Sequence, residues 1–283
     1  MNKNIVLLDG YNLLYRARYS GMNSGDYSII FNFFRSLRVL IEKTSPDIAY
    51  FVLEGMPKLR LEKDSTYKAN RKYEDGDKFS VQKKSIISLI KEYFPLIVAR
   101  HSDYECDDII GHLASKYKAD NNVTIVSSDT DFIQSIDTNV KLYNPVKKVY
   151  LEKPEYDYVS WKSLVGDKSD NIIGFKGVGD KKAKKLLSDN VLLDSFLMKE
   201  GNQETYEKNK FMIAFHDLRS EEDNIQYSFA SANEDTWIQL REKFNLFKFK
   251  SISEKDRTWN KFVSTFNSLE GESLNVIWKS IAE

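Results

Sequence analysis

Histidine and cysteine are nearly missing from this chain, with three of one and one of the other among 283 residues. The lone Cys106 excludes an intramolecular disulfide and any cysteine-rich zinc site, in keeping with a reducing compartment. No histidine stands near it in sequence and no Ser/His/Asp arrangement is offered, so nucleophilic catalysis by a side chain finds no support. Long apolar runs are missing too. The first, IVLLD, is cut by Asp9 after four residues, too short for a signal sequence, and nothing approaches the length of a membrane span. A cytoplasmic, membrane-free protein is expected. Net charge is also absent: 42 basic residues balance 42 acidic ones, which rules out a uniform basic field for holding nucleic acid.

What is present is a normal core. With 41% hydrophobic and 13% aromatic residues against 30% charged, burial can offset the entropy of ordering. The charge is unevenly spread. Met56 to Tyr73 carries six basic and two acidic residues, and Lys176 to Lys185 carries five lysines and one aspartate. The acids gather elsewhere, in YECDD, SSDTD and GDKSDN.

Apolar runs at 5–8, 48–53, 96–98 and 123–126, with a weaker one near 140–143, read as strands. Between them, Phe31, Phe34, Leu37 and Ile41, then Ile86, Ile90, Tyr93 and Phe94, then Ile109, Ile110, Leu113 and Tyr117 follow helical faces. Strand alternating with helix predicts a parallel sheet covered by helices. Beyond about residue 155 the pattern becomes helical. The basic segment 55–80 is too long for an ordinary connection and reads as functional or mobile.

In open α/β sheets, ligands sit outside the carboxyl ends of the strands. Asp9 ends the first apolar run, Glu54 ends the second, and Asp129 and Asp131 follow the fourth. If 129–131 stay extended, these last two point the same way. Glu105, Asp107 and Asp108 open the next helix, where Ser102-x-x-Glu105 also fits a capping box and first-turn acids also suit the helix dipole. Asp167 and Asp170 stand in GDKSDN, a segment that would otherwise be a solvated loop. So many carboxylates cannot crowd together without a counter-charge. Oxygen ligands select Mg²⁺ or Mn²⁺, and two such ions can clamp a phosphodiester and activate water.

GFKGVGDKKAKKLL places Gly174, Gly177 and Gly179 before a lysine-rich helix, a turn that exposes backbone N–H groups to a phosphate or a monovalent ion. Its bland counterpart is a glycine-rich turn between helices. Likewise the basic run at 56–73 could be a solvated loop, and Tyr67, Tyr73 and Phe79 could stack on single-stranded bases or pack as core.

LLDGYNLLYRA, YECDDIIGHLA, VSSDTDFIQ and LVGDKSDNIIGFKGVGDKKA occur in the order found in the bacterial and phage 5′-nuclease family, which this chain resembles from about residue 5 to 187 and more weakly to about 252. The resemblance implies an α/β fold: a PIN-like, Rossmann-like parallel-sheet core at 1–155 with a helical arch at about 55–95. A helical DNA-binding domain at 156–250 would follow, with a helix-hairpin-helix at 171–187, then a helical extension at 251–283. It implies metal ligation by Asp9, Glu105, Asp107 and Asp108 at a first site and by Asp129, Asp131, Asp167 and Asp170 at a second. Arg60, Tyr67, Lys68 and Arg71 would face DNA, Arg16 would approach the scissile region, and Lys68 would polarise the scissile phosphate. Gly174, Gly177, Gly179 and Lys181 would hold a DNA phosphate or K⁺. The family usually has aspartate where this chain has Glu54, and often alanine at Cys106, so an altered but active first site is expected. The implied protein is a free-standing, monomeric, two-metal 5′→3′ exonuclease and flap endonuclease acting on 5′ flaps, nicked or gapped duplexes or RNA–DNA hybrids. A catalytically impaired DNA-structure-binding protein remains an alternative. A glycosyltransferase DTD motif or an Asp9 phosphatase nucleophile explains less, since neither accounts for the hairpin.

Overall fold

The computed structural model describes residues 2–19, 25–71 and 76–269. The chain begins β1 (Asn4–Asp9), α1 (Gly10–Tyr19), α2 (Ser28–Thr44), β2 (Ile48–Leu53), α3 (Lys58–Lys63), α4 (Asp77–Tyr93) and β3 (Ile97–Arg100). It continues through α5 (Cys106–Tyr117), β4 (Asn122–Val126), a 3₁₀ turn (Thr130–Ser135), β5 (Val140–Asn144) and β6 (Val149–Leu151). A helical stretch follows: α6 (Tyr158–Val165), the short pair β7 (Gly166–Asp167) and β8 (Ile172–Ile173), then α7 (Asp180–Leu187), α8 (Asn190–Leu197) and α9 (Asn202–Ile213). The last described elements are β9 (Gln226–Ser228), α10 (Glu234–Leu246), α11 (Lys250–Ser253) and α12 (Asp256–Asn267).

The five apolar runs are the five parallel strands. The seven-stranded sheet has the order β6-β5-β4-β1-β2-β3-β9, with antiparallel strands only at its two edges. Strands buried on both faces read as unbroken apolar runs, which is why β1 and β2 stood out in the sequence. The edge strands β6 and β9 are three residues long, too short to carry a period.

Successive side chains of a strand point to opposite faces. Val6, Leu8, Ala49 and Phe51 therefore pack against α1, α2 and α4, whereas Ile5, Leu7, Ile48 and Tyr50 pack against α5. Each buried Val, Leu, Ile or Phe among them contributes roughly 1.5–3 kcal/mol. Residues 226–269 return to this body instead of extending the helical part. β9 pairs with β3, and Trp237, Phe244, Trp259, Phe262 and Phe266 join the α2/α4 core around the stacked Phe34 and Phe94 rings, 4.8 Å apart. The reason is composition: the α10 and α12 aromatics need an apolar partner, and the outer faces of α2 and α4 supply it. The helical part α6–α9 has a small core of its own, around Leu164, Ala183, Leu186 and Tyr206. No helix among the described residues is long and apolar enough to cross a membrane. Residues 270–283, the last 14 of the 33 residues of the expected extension, lie outside the described residues.

Strand order reverses at β1, which has β2 on one side and β4 on the other. A crevice forms at such a switch point, beyond the carboxyl ends of the strands. Asp9 ends β1 there, and Asp129 stands three residues past β4.

Candidate functional site

A cavity of about 660 Å³ opens at this edge, lined by Asp9, Glu54, Asp107, Asp129 and Asp170 together with Arg16, Lys68 and Arg71. A wider cleft, about 770 Å³, lies away from these acids between α5 and residues 215–222. Its charges are largely paired, as in Lys116 with Glu222 and Lys118 with Asp137, so it has no carboxylates to spare for a metal.

Asp9 is 5% exposed. Its Oδ2 accepts the Ser127 hydroxyl at 2.7 Å and its Oδ1 accepts the Asn12 N–H at 3.0 Å. Burial raises its pKa in spite of these bonds. Asp107 is held well above the ordinary carboxylate range, first by burial and then by Asp129, Asp9 and Glu54. Glu54 accepts the Cys106 N–H at 3.2 Å and is pushed up to about 7 by burial and by Glu105. Carboxylates that repel one another in this way are what a divalent cation relieves. Ligand atoms of Asp9, Cys106 and Asp107 lie within 4.8 Å of one another, as do those of Asp131, Asp167 and Asp170. The oxygen donors at the first site, Asp9 and Asp107 with Glu54 and Asp129 on the same cavity wall, therefore fit a hard divalent ion, whereas the Cys106 thiol, held protonated by burial, does not add to them.

The second group already has cations. Lys162, on α6, forms ion pairs with both Asp131 and Asp167, and Arg71 pairs with Asp170. Burial works against the Lys162 ammonium, but Asp131 and Asp167 outweigh it and hold its pKa above the usual lysine value. Asp131 is nevertheless raised to about 6, by burial and by Asp129. The role of Lys162 was not foreseen. A lysine inside the apolar run YVSWKSLV was the available signal, since such a position needs a buried partner.

Asp129 and Asp131 do not turn the same way. Asp129 caps the 3₁₀ turn, accepting the Asp131 N–H at 2.9 Å, so the chain leaves extended geometry at Thr130. Asp129 lines the cavity with Asp9, while Asp131 joins Asp167 and Asp170.

Arg60 does not face solvent. It is 3% exposed and donates to Asp108 through both terminal nitrogens, at 2.6 and 2.8 Å, and to Glu105 at 2.8 Å. It also donates to the carbonyls of Met212 and Ala214. Asp108, fully buried, accepts the backbone N–H groups of Glu105 and His216 as well. Four donors fill both of its oxygens, so Asp108 has no lone pair left for a metal, contrary to the ligand set expected from the sequence. The same bonds redefine the helix start. Glu105 is the N-cap of α5 and Asp108 closes the box, one turn later than Ser102-x-x-Glu105 suggested.

Tyr67 is likewise buried, its single hydroxyl proton within reach of Glu105 at 3.0 Å and Asp170 at 3.1 Å, so it offers no ring to DNA. Lys68 pairs with Glu105 and approaches Asp170 at 3.8 Å on the cavity wall. Phe79 is core, 2% exposed. Lys72 and Tyr73 lie outside the described residues. Arg16 reaches the cavity from α1, half-buried, with its pKa lowered by burial.

In the glycine-rich turn, a Cβ on Gly174 would stand 2.1 Å from the Val165 carbonyl oxygen, and Gly177 has φ +74°. Gly179 is the N-cap of α7, where Lys181 is exposed.

A doubly wound sheet that gathers acids from β1, β2, α5 and the β4 exit at its switch point defines a PIN-like protein with an acidic centre. The chain belongs to the 5′-3′ exonuclease family: the model of its N-terminal resolvase-like domain matches residues 4–162. It is 29% identical to the 5′-3′ exonuclease of Aquifex aeolicus, over 96% of this chain and 94% of that one. It is 30% identical to the DNA polymerase I of Caldicellulosiruptor bescii over 65% of this chain, and the match spans 24% of the polymerase. The fold superposes on the flap endonuclease of bacteriophage T5, solved with DNA and metal ions, with a TM-score of 0.58 and 16% identity over 99% of this chain and 98% of that one.

Proposed function

We propose that this chain is a divalent-metal-dependent, structure-specific 5′-nuclease that hydrolyses DNA phosphodiesters as a 5′→3′ exonuclease and flap endonuclease. The observation that carries the reading is the shared cavity in which Asp9, Glu54, Asp107 and Asp129 face Arg16, Lys68 and Arg71. Acids without enough cations among them suit Mg²⁺ or Mn²⁺, and the basic wall suits a phosphate. Family membership supports the same activity.

Asp9, Glu54, Asp107 and Asp129 would hold one ion; Asp131, Asp167 and Asp170 would hold a second only with Lys162 and Arg71 displaced from them. When bound, the two ions supply Lewis acidity and neutralise charge that develops at the scissile phosphate. The chain's own residues do the rest. Asp108 and Arg60 anchor the start of α5, so that Asp107 projects from a fixed helix end. Lys68 and Arg71, paired with Glu105 and Asp170 on the cavity wall, would be the cations that meet the phosphate oxygens. Arg16 would bind the substrate backbone from α1. The Gly177–Gly179 turn and the start of α7 would hold a duplex phosphate or K⁺ without reading sequence. We assign catalysis to the sheet body and duplex binding to α6–α9, and we place the monomeric enzyme in the cytoplasm.

The test is a 5′-labelled flap DNA with Mg²⁺. The native chain should release the flap with a 5′-phosphate, while Asp129→Ala should bind the same DNA and leave it uncut. Retained cleavage by Asp129→Ala would overturn the assignment.

A further inference from the structure

We infer that Ser127 is a positioning residue that sets the orientation of Asp9 and Asp129 toward the ion; the inference rests on the metal-nuclease reading. Ser127 stands just past β4, at the place where the pairing Leu8 with Val126 brings it beside Asp9. Its N–H continues the ladder to the Tyr143 carbonyl at 3.2 Å, so the backbone is fixed and only the hydroxyl is left to act. The side chain is fully buried.

The hydroxyl has one proton and two lone pairs. It accepts the Asp129 N–H at 3.0 Å and donates its only proton to Asp9 Oδ2 at 2.7 Å. One oxygen atom thus ties two carboxylate-bearing residues 120 positions apart. Oδ1 accepts the Asn12 N–H at 3.0 Å and lies 3.5 Å from Cys106 Sγ, in the ligand group that includes Asp107, so Ser127 and Asn12 together hold the two Asp9 oxygens in one orientation. The backbone bond starts the turn that sends Asp129 to the cavity and Asp131 to the other group. Asn12 closes the clasp from α1: its side-chain oxygen accepts the Ser128 N–H at 3.1 Å. Without the Ser127 hydroxyl, Asp9 is held by the Asn12 N–H alone and its Oδ2 is no longer fixed, and the Asp129 N–H loses its acceptor. Partners that orient ligands in this way typically change metal affinity 10–100-fold.

The experiment compares the full chain with Ser127→Ala and Ser127→Thr by Mn²⁺ titration, read by the spectrum of free Mn²⁺ and by heat. Ser127→Ala should bind one Mn²⁺ about 10-fold or more weakly, and Ser127→Thr should restore binding to within about threefold of the native chain. On flap DNA, Ser127→Ala should keep its KM and regain kcat as Mn²⁺ is raised. A purely structural role would lower the urea midpoint and leave Mn²⁺ affinity unchanged. Mn²⁺ affinity in Ser127→Ala within twofold of the native chain, or no rescue by threonine at equal stability, would overturn the inference. If the native chain takes up no Mn²⁺ at all, the metal-nuclease reading fails first, and that outcome is distinct from native-like binding by Ser127→Ala.

Discussion

Asp107 and Asp108 are neighbours in the same acidic motif, yet the structure gives them opposite energetic roles, and exchanging each for asparagine separates the two. At position 108, the substitution removes the charge that Arg60 meets with two hydrogen bonds, and it places an amide N–H group among four donors. Arg60 keeps Glu105, so it is not fully stranded. Breaking one side of a buried pair costs about 3–5 kcal/mol. At roughly 2–4 °C per kcal/mol for a chain of this size, Asp108→Asn should melt about 6–20 °C lower. It should still bind metal when measured well below its melting temperature. Asp107→Asn removes a buried charge that Asp129, Asp9 and Glu54 all repel, so at pH 8 it should be as stable as the native chain or more so. It should lose one Mn²⁺. Urea unfolding and Mn²⁺ titration on both variants give the answer. If Asp108→Asn kept native stability while losing an ion, or if Asp107→Asn bound Mn²⁺ normally, the division of roles drawn from the Arg60 bonds would be wrong.

The Glu54 carboxyl is raised from 4.5 to about 7, so the folded chain holds that proton longer than the unfolded one. Stability from this group is present below about 4.5 and is lost as pH rises through about 7. The chelated protein should therefore melt at a lower temperature at pH 8 than at pH 5, and Mg²⁺ should raise the melting temperature more at pH 8; scanning calorimetry with a chelator and with Mg²⁺ reads both. Gly174→Ala drives a methyl group into the Val165 backbone at 2.1 Å, whereas Gly179→Ala meets nothing within 4 Å. Overpacking of this kind costs about 1–3 kcal/mol, so the first should unfold at lower urea and the second should not. Equal midpoints would refute the close approach.

Much of this molecule is determined locally. Strands buried on both faces must be apolar throughout, so β1, β2 and β4 are visible as runs, and the aspartates that follow β1 and β4 are visible as their ends. The order of strands in the sheet, β4 beside β1, is set by packing between segments more than 100 residues apart, and no local pattern carries it. The same holds for the site. That DTD, YECDD and GDKSDN could meet was legible from composition, because crowded acids imply a cation. Which acid serves which purpose was not. Asp108 is taken by Arg60 because α3 folds beneath α5 and α9, which buries an arginine that reads as exposed in a basic run. Lys162 stands between Asp131 and Asp167 because α6 crosses the 3₁₀ turn. Sequence alone determined the chemistry available here, many carboxylates and basic groups with only three histidines. Tertiary structure decided the pairings, because a charge removed from water must find its partner in three dimensions, wherever along the chain that partner lies.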